Sequence, residues 1–590
     1  MIILDMLSSF LILVFSSFFL FSKNSLASSD FVINENIEYF VNTSGQATVT
    51  HLIDITNNYS QIYPKEYQIQ IQGMPISDLS ATDNQGNILT DFSSQEDISL
   101  IKLKFNQAKV GKNQTTSFKL IYRISQLAKH KGKTWEISLP QLTDSALNNT
   151  QITIKTPSEF GSLSFASIPT KFQEGLSQNT ISFQNNSHAK ILIILGNYQL
   201  FNFKLNYFLK NTTSSVVTSE IAIIPDTYSQ SVYYQSISPA PLSIEIDPDG
   251  NWLAKYQLNS QEELNIVAEG QVKTGLHLPK QISRFNDYLL DQTFWPVSDP
   301  QIQDIANNLS SPRSIYDYVT NTLNYNYDRL NASGRLGTIA AIIDPNNSLC
   351  TEFTDLFVTL ARAKGIPSRE IEGFAYSTDT KIKPISLHND ILHAWPEYYD
   401  SSANTWKAID PTWGKTTNGT NYFDNLDLNH ITFVTHGLDS QNPLPPGSYK
   451  SDAGEKSISI EFATEEIKID TVLPQISFNN GKLLLNNYTP NSQKNLLLTS
   501  PDLSLNQNVP DILPYSSLEL SLPKISFWQS LSPQHQKITF TLKNGDDQIS
   551  TKTLNYPPHF INLAICIIVS LIILTTSGII ITSLTHEKNS

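Results

Sequence analysis

Between residues 30 and 200 apolar and polar side chains alternate with a period of two. Ile101, Leu103 and Phe105 are separated by Lys102 and Lys104, Val110-Gly-Lys-Asn113 turns the chain, and Phe118, Leu120, Tyr122 and Ile124 resume the alternation. Successive side chains of a strand point to opposite faces, so this pattern predicts strands with one face in a core. An antiparallel β-sandwich is expected over residues 28–200. A second, smaller β module is expected over 201–276, punctuated by Pro239-Ala-Pro241 and Asp247-Pro-Asp-Gly250. From Asp299 the period lengthens: Ile315, Val319 and Leu323 share one stripe of a helix over Ser311–Asn324. Gly437–Gly447, with Pro443, Pro445 and Pro446, reads as a linker. Alternation then returns at Ile458, Ile460 and Phe462, and Ile538, Phe540 and Leu542 lead into an Asn544-Gly545 hairpin turn. A third, immunoglobulin-like β domain is therefore expected over 455–556.

Two runs are apolar without alternation. Residues 7–22 precede Ser25-Leu-Ala27, as in a signal peptide (residues 1–27) cleaved after Ala27, although Asp5 and the lack of Lys or Arg keep an uncleaved anchor as the alternative. Phe560–Leu584 carries no charge and, at about 1.5 Å per residue, is long enough to cross a hydrocarbon core of roughly 30 Å. It is read as a transmembrane helix over 560–584, followed by a short tail over 585–590. Together the two runs predict a single-pass protein of the cell membrane, with residues 28–558 outside the cytoplasm.

One helix holds candidate chemistry. Cys350, Phe353, Leu356, Phe357, Leu360 and Ala361 follow the i, i+3, i+4, i+7 spacing of an apolar face. Ser348 is the expected N-cap, Arg362 and Lys364 fall in the last turn, and Gly365 and Pro367 stop the helix. The Cys350 thiol then lies in the first turn, where unpaired N–H groups and the helix dipole favour negative charge. A thiol placed there beside a cation can have its pKa lowered to roughly 3.5–7.5.

Downstream, residues 391–399 read as a strand, 400–403 as a turn and 405–413 as the returning strand. In that register Tyr399 pairs with Asn404, Glu397 with Trp406, Trp395 with Ala408, and His393 with Asp410. Directly opposite residues have Cβ atoms about 4.5–5.5 Å apart, which sets an imidazole beside a carboxylate. Taken singly, each residue has a plain structural explanation: a core cysteine, a satisfied strand histidine, an Asp-Pro turn opener. Their ordered spacing favours chemistry. His388 is the competing histidine and ranks behind, because it falls in the loop-like stretch 384–390.

With 54 acidic against 40 basic residues and a net charge of −14, and with no Lys/Arg cluster, nucleic acid is not an expected partner. The chain has 2 cysteines. Cys566 lies in the apolar span, so Cys350 is alone in the exported part and no intramolecular disulfide can form there. An unpaired thiol in an exported protein calls for a chemical explanation. The disulfide-free, Asn/Ile/Ser/Lys-rich composition suits a bacterial surface protein. There is no EF-hand loop, and no metal or cofactor is expected.

These residues resemble the transglutaminase-like superfamily, whose members share a papain-like thiol fold. The family pattern is a helix-capping Cys with a helix ending near Gly-Ile-Pro-Ala-Arg, then His-Ala-Trp-x-Glu, then Trp-x-x-x-Asp-Pro-Thr. Here it reads Cys350 with Gly365-Ile-Pro-Ser-Arg369, His393-Ala-Trp-Pro-Glu397, and Trp406-Lys-Ala-Ile-Asp410-Pro-Thr412. The resemblance spans about residues 345–415, and more faintly 290–440. It implies that Cys350 is a nucleophile, His393 a general base and acid, and Asp410 the carboxylate that orients the histidine. Ser348 stands where the family usually has glycine. Some transglutaminases use an upstream aromatic oxyanion donor, for which Tyr325 and Tyr327 are candidates, with core packing as the alternative.

The implied fold is an α+β papain-like transglutaminase core over 277–450, flanked by all-β sandwich domains and followed by the transmembrane helix. The implied function is a membrane-anchored, extracytoplasmic thiol enzyme acting on protein or peptide amides through a cysteine thioester, with a protease/amidase or a crosslinking outcome. The alternative is a non-catalytic surface adhesion or scaffold protein with the same fold.

Overall fold

The computed structural model describes residues 30–95, 98–107, 109–142, 147–185, 191–276, 285–331, 334–377, 383–384, 392–451, 456–468, 472–479, 482–521, 536–545, 548–556 and 560–587. The expected signal peptide, His388 and the last residues of the tail lie outside them. The chain divides into two compact units, one formed by residues up to 130 with 135–195, the other by 131–134 with 196 onward.

In the first unit the alternation becomes strands buried on one face. β1 (Phe31–Val41) and β2 (Ala47–Asn57) pair antiparallel, and β3 (Thr115–Ile124) continues the sheet beside β2. β4 (Leu147–Pro157) lies on the other side of β1 and runs parallel to it, a departure from the expected all-antiparallel sandwich. Ile37, Tyr39, Val49, Ile53, Leu120 and Ile154 fill the core between this eight-stranded sheet and two four-stranded sheets.

The second unit opens with β5 (Gln199–Lys210), β6 (Val217–Ile223), β7 (Gln230–Ser238), β8 (Trp252–Leu258) and β9 (Glu263–Thr274). β7, β9 and β5 form one sheet, whose fourth strand is Ile458–Phe462. That strand, read from its alternation as the start of the C-terminal β domain, instead completes the second module. Local pattern reports a strand and its buried face, and partner choice is a long-range matter.

The helical half comprises α1 (Pro300–Asn307), α2 (Pro312–Thr322), α3 (Gly337–Ile343) and α4 (Cys350–Ala363). Asp299 caps α1 and Ser311 caps α2, each with proline in the first turn. Against α4 lies a sheet of β10 (Ser368–Ala375), β11 (His393–Asp400), β12 (Thr405–Ala408) and β13 (His430–His436), in the order β12-β11-β10-β13. Phe353, Leu356, Phe357 and Leu360 of α4 pack with Ile315, Val319, Tyr398 and Ile409. The sheet also meets the second β module, since Phe374, Ile431 and Phe433 share a core with Phe201, Tyr234 and Trp252. An α+β core, with helices packed on a four-stranded sheet and set among further β-sheets, is thus the fold class of this chain.

The strands described between Gln475 and Tyr556 form two further sheets around Leu483, Leu485, Leu498, Phe540 and Leu542. The final helix runs Phe560–Glu587. Its window Ala564–Ile581 has a mean hydropathy of 2.7 and none of it is buried, so by length and composition it can cross a membrane.

Candidate functional site

Cys350 is the first residue of α4. The N-cap is Leu349 rather than Ser348, whose hydroxyl instead reaches the Pro345 carbonyl, and the Glu352 carboxylate accepts the Leu349 N–H at 2.8 Å. At the far end Gly365, with φ +75°, donates to the Arg362 carbonyl while Ile366 N–H reaches that of Ala361. That is the Schellman stop expected from Gly365.

The helix is amphipathic in sequence but buried on every face. Asp355 accepts from Trp295 Nε1 at 2.8 Å and from Arg335 Nε at 2.9 Å, and Arg335 Nη2 also lies 2.8 Å from Glu370 Oε2. Glu352 takes the Leu336 N–H at 2.7 Å and Arg329 Nη1 at 3.2 Å. These bonds tie Arg329, Arg335 and Leu336 to the helix start and so fix where the Cys350 sulfur sits.

His393 opens β11. The expected hairpin register is off by two residues: the ladder runs Asp400↔Thr405, Tyr399↔Trp406, Tyr398↔Lys407 and Glu397↔Ala408. The turn occupies 401–404, with Asn404 at φ +53°. His393 and Asp410 are therefore not cross-strand partners. The ladder ends after Ala408, Ile409 N–H bonds the Pro396 carbonyl, and Asp410 becomes the N-cap of α5 (Pro411–Thr416). There its Oδ1 accepts the Trp413 N–H at 2.9 Å, which turns Oδ2 toward His393 Nε2, also at 2.9 Å. The two groups meet because a helix starts at Pro411.

A carboxylate only accepts hydrogen bonds, so His393 Nε2 carries a proton and Nδ1 is left as the basic atom. Nδ1 has no nitrogen or oxygen partner, and Cys350 acts on the ring by hydrogen bonding and by charge. Burial disfavours the imidazolium, but the Asp410 carboxylate and then Cys350 outweigh it and push His393 up to about 10. Burial likewise opposes ionisation of Asp410, and His393 and then His430 hold it down at about 2. Trp413 stacks on the His393 ring at 5.0 Å and Trp395 at 5.9 Å, which keeps the imidazole dry.

Cys350, His393 and Asp410 are thus brought together. Of the two tyrosines, Tyr327 is 42% exposed, whereas Tyr325 bridges to Ser348 and its buried hydroxyl has no partner. Burial raises Tyr325 far above its ordinary value, and electrostatic interaction with Cys350 adds to that rise. The motif residues Arg369 and Glu397 are direct cross-strand partners joined by a buried ion pair. The sequence reading did not pick out His430. Its Nδ1 bonds Asp427 Oδ1 at 2.9 Å and its Nε2 lies 3.5 Å from Asp410 Oδ2. No local spacing announces it, since β13 reaches this point only by pairing with β10. Ligand atoms of His393, Asp410 and His430 lie close enough to hold a metal ion, as do those of Glu370, Glu372 and His436. In the second set the Arg335 guanidinium already serves as the cation.

The α+β core thus sets a cysteine at a helix N-terminus beside a histidine–carboxylate pair. Residues 297–411 match the family model described as the transglutaminase-like superfamily, and the chain carries a domain of that kind. No curated protein matches the chain. Among solved structures, a Cytophaga hutchinsonii protein described as a candidate cysteine protease is 17% identical, over 45% of this chain and 86% of its own, with a TM-score of 0.30. The periplasmic domain of TgpA from Pseudomonas aeruginosa is 13% identical, over 38% and 92%, at 0.21. An M1 zinc metallopeptidase from Deinococcus radiodurans is 11% identical, over 32% and 46%, at 0.20.

Proposed function

We propose that this protein is a membrane-anchored, extracytoplasmic thiol enzyme that cleaves or transfers protein or peptide amides through a thioester on Cys350. The observation that carries this reading is the convergence of Cys350, at a helix N-terminus, with His393, itself bonded to Asp410 at 2.9 Å. The thiol proton passes to His393 Nδ1 and the sulfur attacks the amide carbon. The C–N bond then breaks as the imidazolium protonates the departing ammonia or amine. Asp410 holds the ring in the tautomer this needs and stabilises its charge. Backbone N–H groups of the first turn of α4, with the unpartnered Tyr325 hydroxyl, are the candidate donors to the oxyanion. Water or an amine, deprotonated by His393, next attacks the thioester and releases the thiol, giving hydrolysis or a crosslink. The apolar helix Phe560–Glu587 would anchor the β modules and this domain at the membrane.

A second reading keeps the fold without the reaction. Cys350 and His393 are each 1% exposed and Asp410 is fully buried, which suits a packed core as well as a sheltered site. The deciding experiment incubates purified protein with a peptide-amide library, with and without a primary amine, and identifies products by mass. Hydrolysed or amine-linked peptides that vanish in Cys350→Ala support the enzyme; no product under either condition leaves the scaffold.

A further inference from the structure

The Asp410 carboxylate serves two imidazoles. Its Oδ1 is held by the Trp413 N–H, and its Oδ2 lies between His393 Nε2 at 2.9 Å and His430 Nε2 at 3.5 Å. His430 is in turn fixed from behind. Its Nδ1 meets Asp427 Oδ1 at 2.9 Å, and since a carboxylate cannot donate, Nδ1 carries the proton. Asp427 is itself held by the Asn429 N–H, Lys383 Nζ and the Tyr422 hydroxyl. The Nε2 atom makes no hydrogen bond, so His430 meets Asp410 through charge, and a neutral ring would leave the buried Asp410 and Asp427 carboxylates on either side of an uncharged group. A protonated His430 supplies a positive charge to both. Among the described residues, Asp410, Asp427 and His393 are the titratable groups around His430, with Lys383 and Tyr422 one contact further out, and its ring also packs on Trp395 and Trp413.

We propose that His430 is a positioning residue of the Cys350 site: a second, cationic imidazole, held by Asp427, that shares the Asp410 carboxylate with His393 and thereby limits how strongly Asp410 retains the His393 proton. The direction of the His430 shift agrees, since burial alone would keep it neutral and Asp427 and Asp410 together raise it. Sharing has a chemical use. An imidazolium gripped by an undivided buried carboxylate is a poor acid toward a leaving amine, and a second cation beside that carboxylate weakens the grip.

The inference rests on the thiol-enzyme reading only in supposing that Cys350 and His393 react as a pair. Its test therefore needs no amide substrate. The full chain in detergent is alkylated with iodoacetamide across pH 5–11, and labelling of the Cys350 peptide is quantified by mass. The alkaline step of that profile reads loss of the His393 proton beside the thiolate. His430→Gln should move this step upward by roughly one to two pH units, the scale of one unit charge acting across the 5.9 Å between the two rings at an effective dielectric of about 20. Asp410→Asn should move it downward. A merely structural role for His430 predicts no such opposition of sign. A step that stays in place or falls in His430→Gln overturns the proposal. Should His430→Gln fail to fold, ¹⁵N spectra of histidine-labelled parent protein decide the matter: a doubly protonated His430 ring at neutral pH supports it, and a neutral tautomer overturns it. If no peptide is turned over yet the alkylation shifts are as stated, the relay stands and the enzymatic reading falls.

Discussion

The pair Arg369–Glu397 links two motifs that are separated in sequence and adjacent in the sheet, and its removal has a calculable cost. Arg369 Nε and Nη2 reach Glu397 Oε2 at 2.7 and 2.6 Å, the Tyr228 hydroxyl donates to Oε1 at 2.7 Å, and the guanidinium stacks on Trp406 at 4.0 Å. The two side chains are 5% and 3% exposed, so little solvent screens them. Arg369→Met leaves a buried carboxylate with a single hydroxyl donor. Truncating one partner of such a pair costs about 3–5 kcal/mol, whereas replacing both by neutral groups costs far less. The double variant Arg369→Met/Glu397→Gln should therefore recover about 2–3 kcal/mol over the sum of the singles.

Because the chain has several folded parts, the readout must belong to this one. Pulsed hydrogen exchange of peptides from α4, β10 and β11 at increasing urea, read by mass, reports unfolding of this domain alone. With a slope of about 2–3 kcal/mol per molar urea, the Arg369→Met midpoint should fall by roughly 1–2.5 M. A midpoint within about 0.3 M of the parent, or a double variant weaker than both singles together, would falsify the argument.

Four other outcomes are expected. Cys350→Ala should remove every acyl-transfer product while far-ultraviolet circular dichroism stays as in the parent; residual product would assign the reaction elsewhere. His393 is raised from 6.5 to about 10, so its pairing stabilises the fold fully below pH 6.5 and is lost as pH rises through 10; Asp410, lowered from 3.8 to about 2, contributes above 3.8 and is lost as pH falls through 2. The difference in urea midpoint between the parent and His393→Gln/Asp410→Asn should thus be greatest between pH 4 and 6.5, and a difference that does not change up to pH 10 contradicts the pairing. Gly414→Ala places a Cβ in steric overlap with the Tyr316 hydroxyl and should destabilise α5 by roughly 1–3 kcal/mol, with Tyr316→Phe relieving part of it. Protease added to intact cells should digest the β modules and spare a tag placed after Ser590; loss of the tag would reverse the orientation.

Much of this was legible in residue order because it rests on local physics. Period-two burial marked the strands, and the stop of α4 at Gly365 needed only a residue that tolerates positive φ. What escaped was long-range. The hairpin register slipped because Asn404 adopts a left-handed conformation and belongs to the turn. Asp410-Pro411 falls inside the strand expected over 405–413, although Asp followed by Pro is also the N-cap and first residue of a helix, which is how the chain uses it. The two-residue slip preserved the face on which each side chain falls, so the pairing was wrong while the proximity of His393 and Asp410 was right. His430 and the strand Ile458–Phe462 owe their places to sheet partners far away in sequence, which no window of a few residues can report.

The polar side of α4 carries a more general point. Glu352, Asp355 and Arg362 look in sequence like the solvated face of an amphipathic helix, yet all three are buried. Each is answered by a donor or acceptor from another segment: Glu352 by Leu336 and Arg329, Asp355 by Trp295 and Arg335, Arg362 by the carbonyls of Ser368, Leu290 and Gly437. An apolar face alone would let the helix slide or rotate by a fraction of a turn at small cost, since hydrophobic contact is non-directional. Directional bonds on the opposite face remove that freedom. A thiol that must meet one nitrogen of one imidazole within hydrogen-bonding distance needs both constraints. The buried charges on α4 therefore belong to the site's geometry as much as to the stability of the domain, and substituting them should loosen the Cys350–His393 contact before it unfolds the helix.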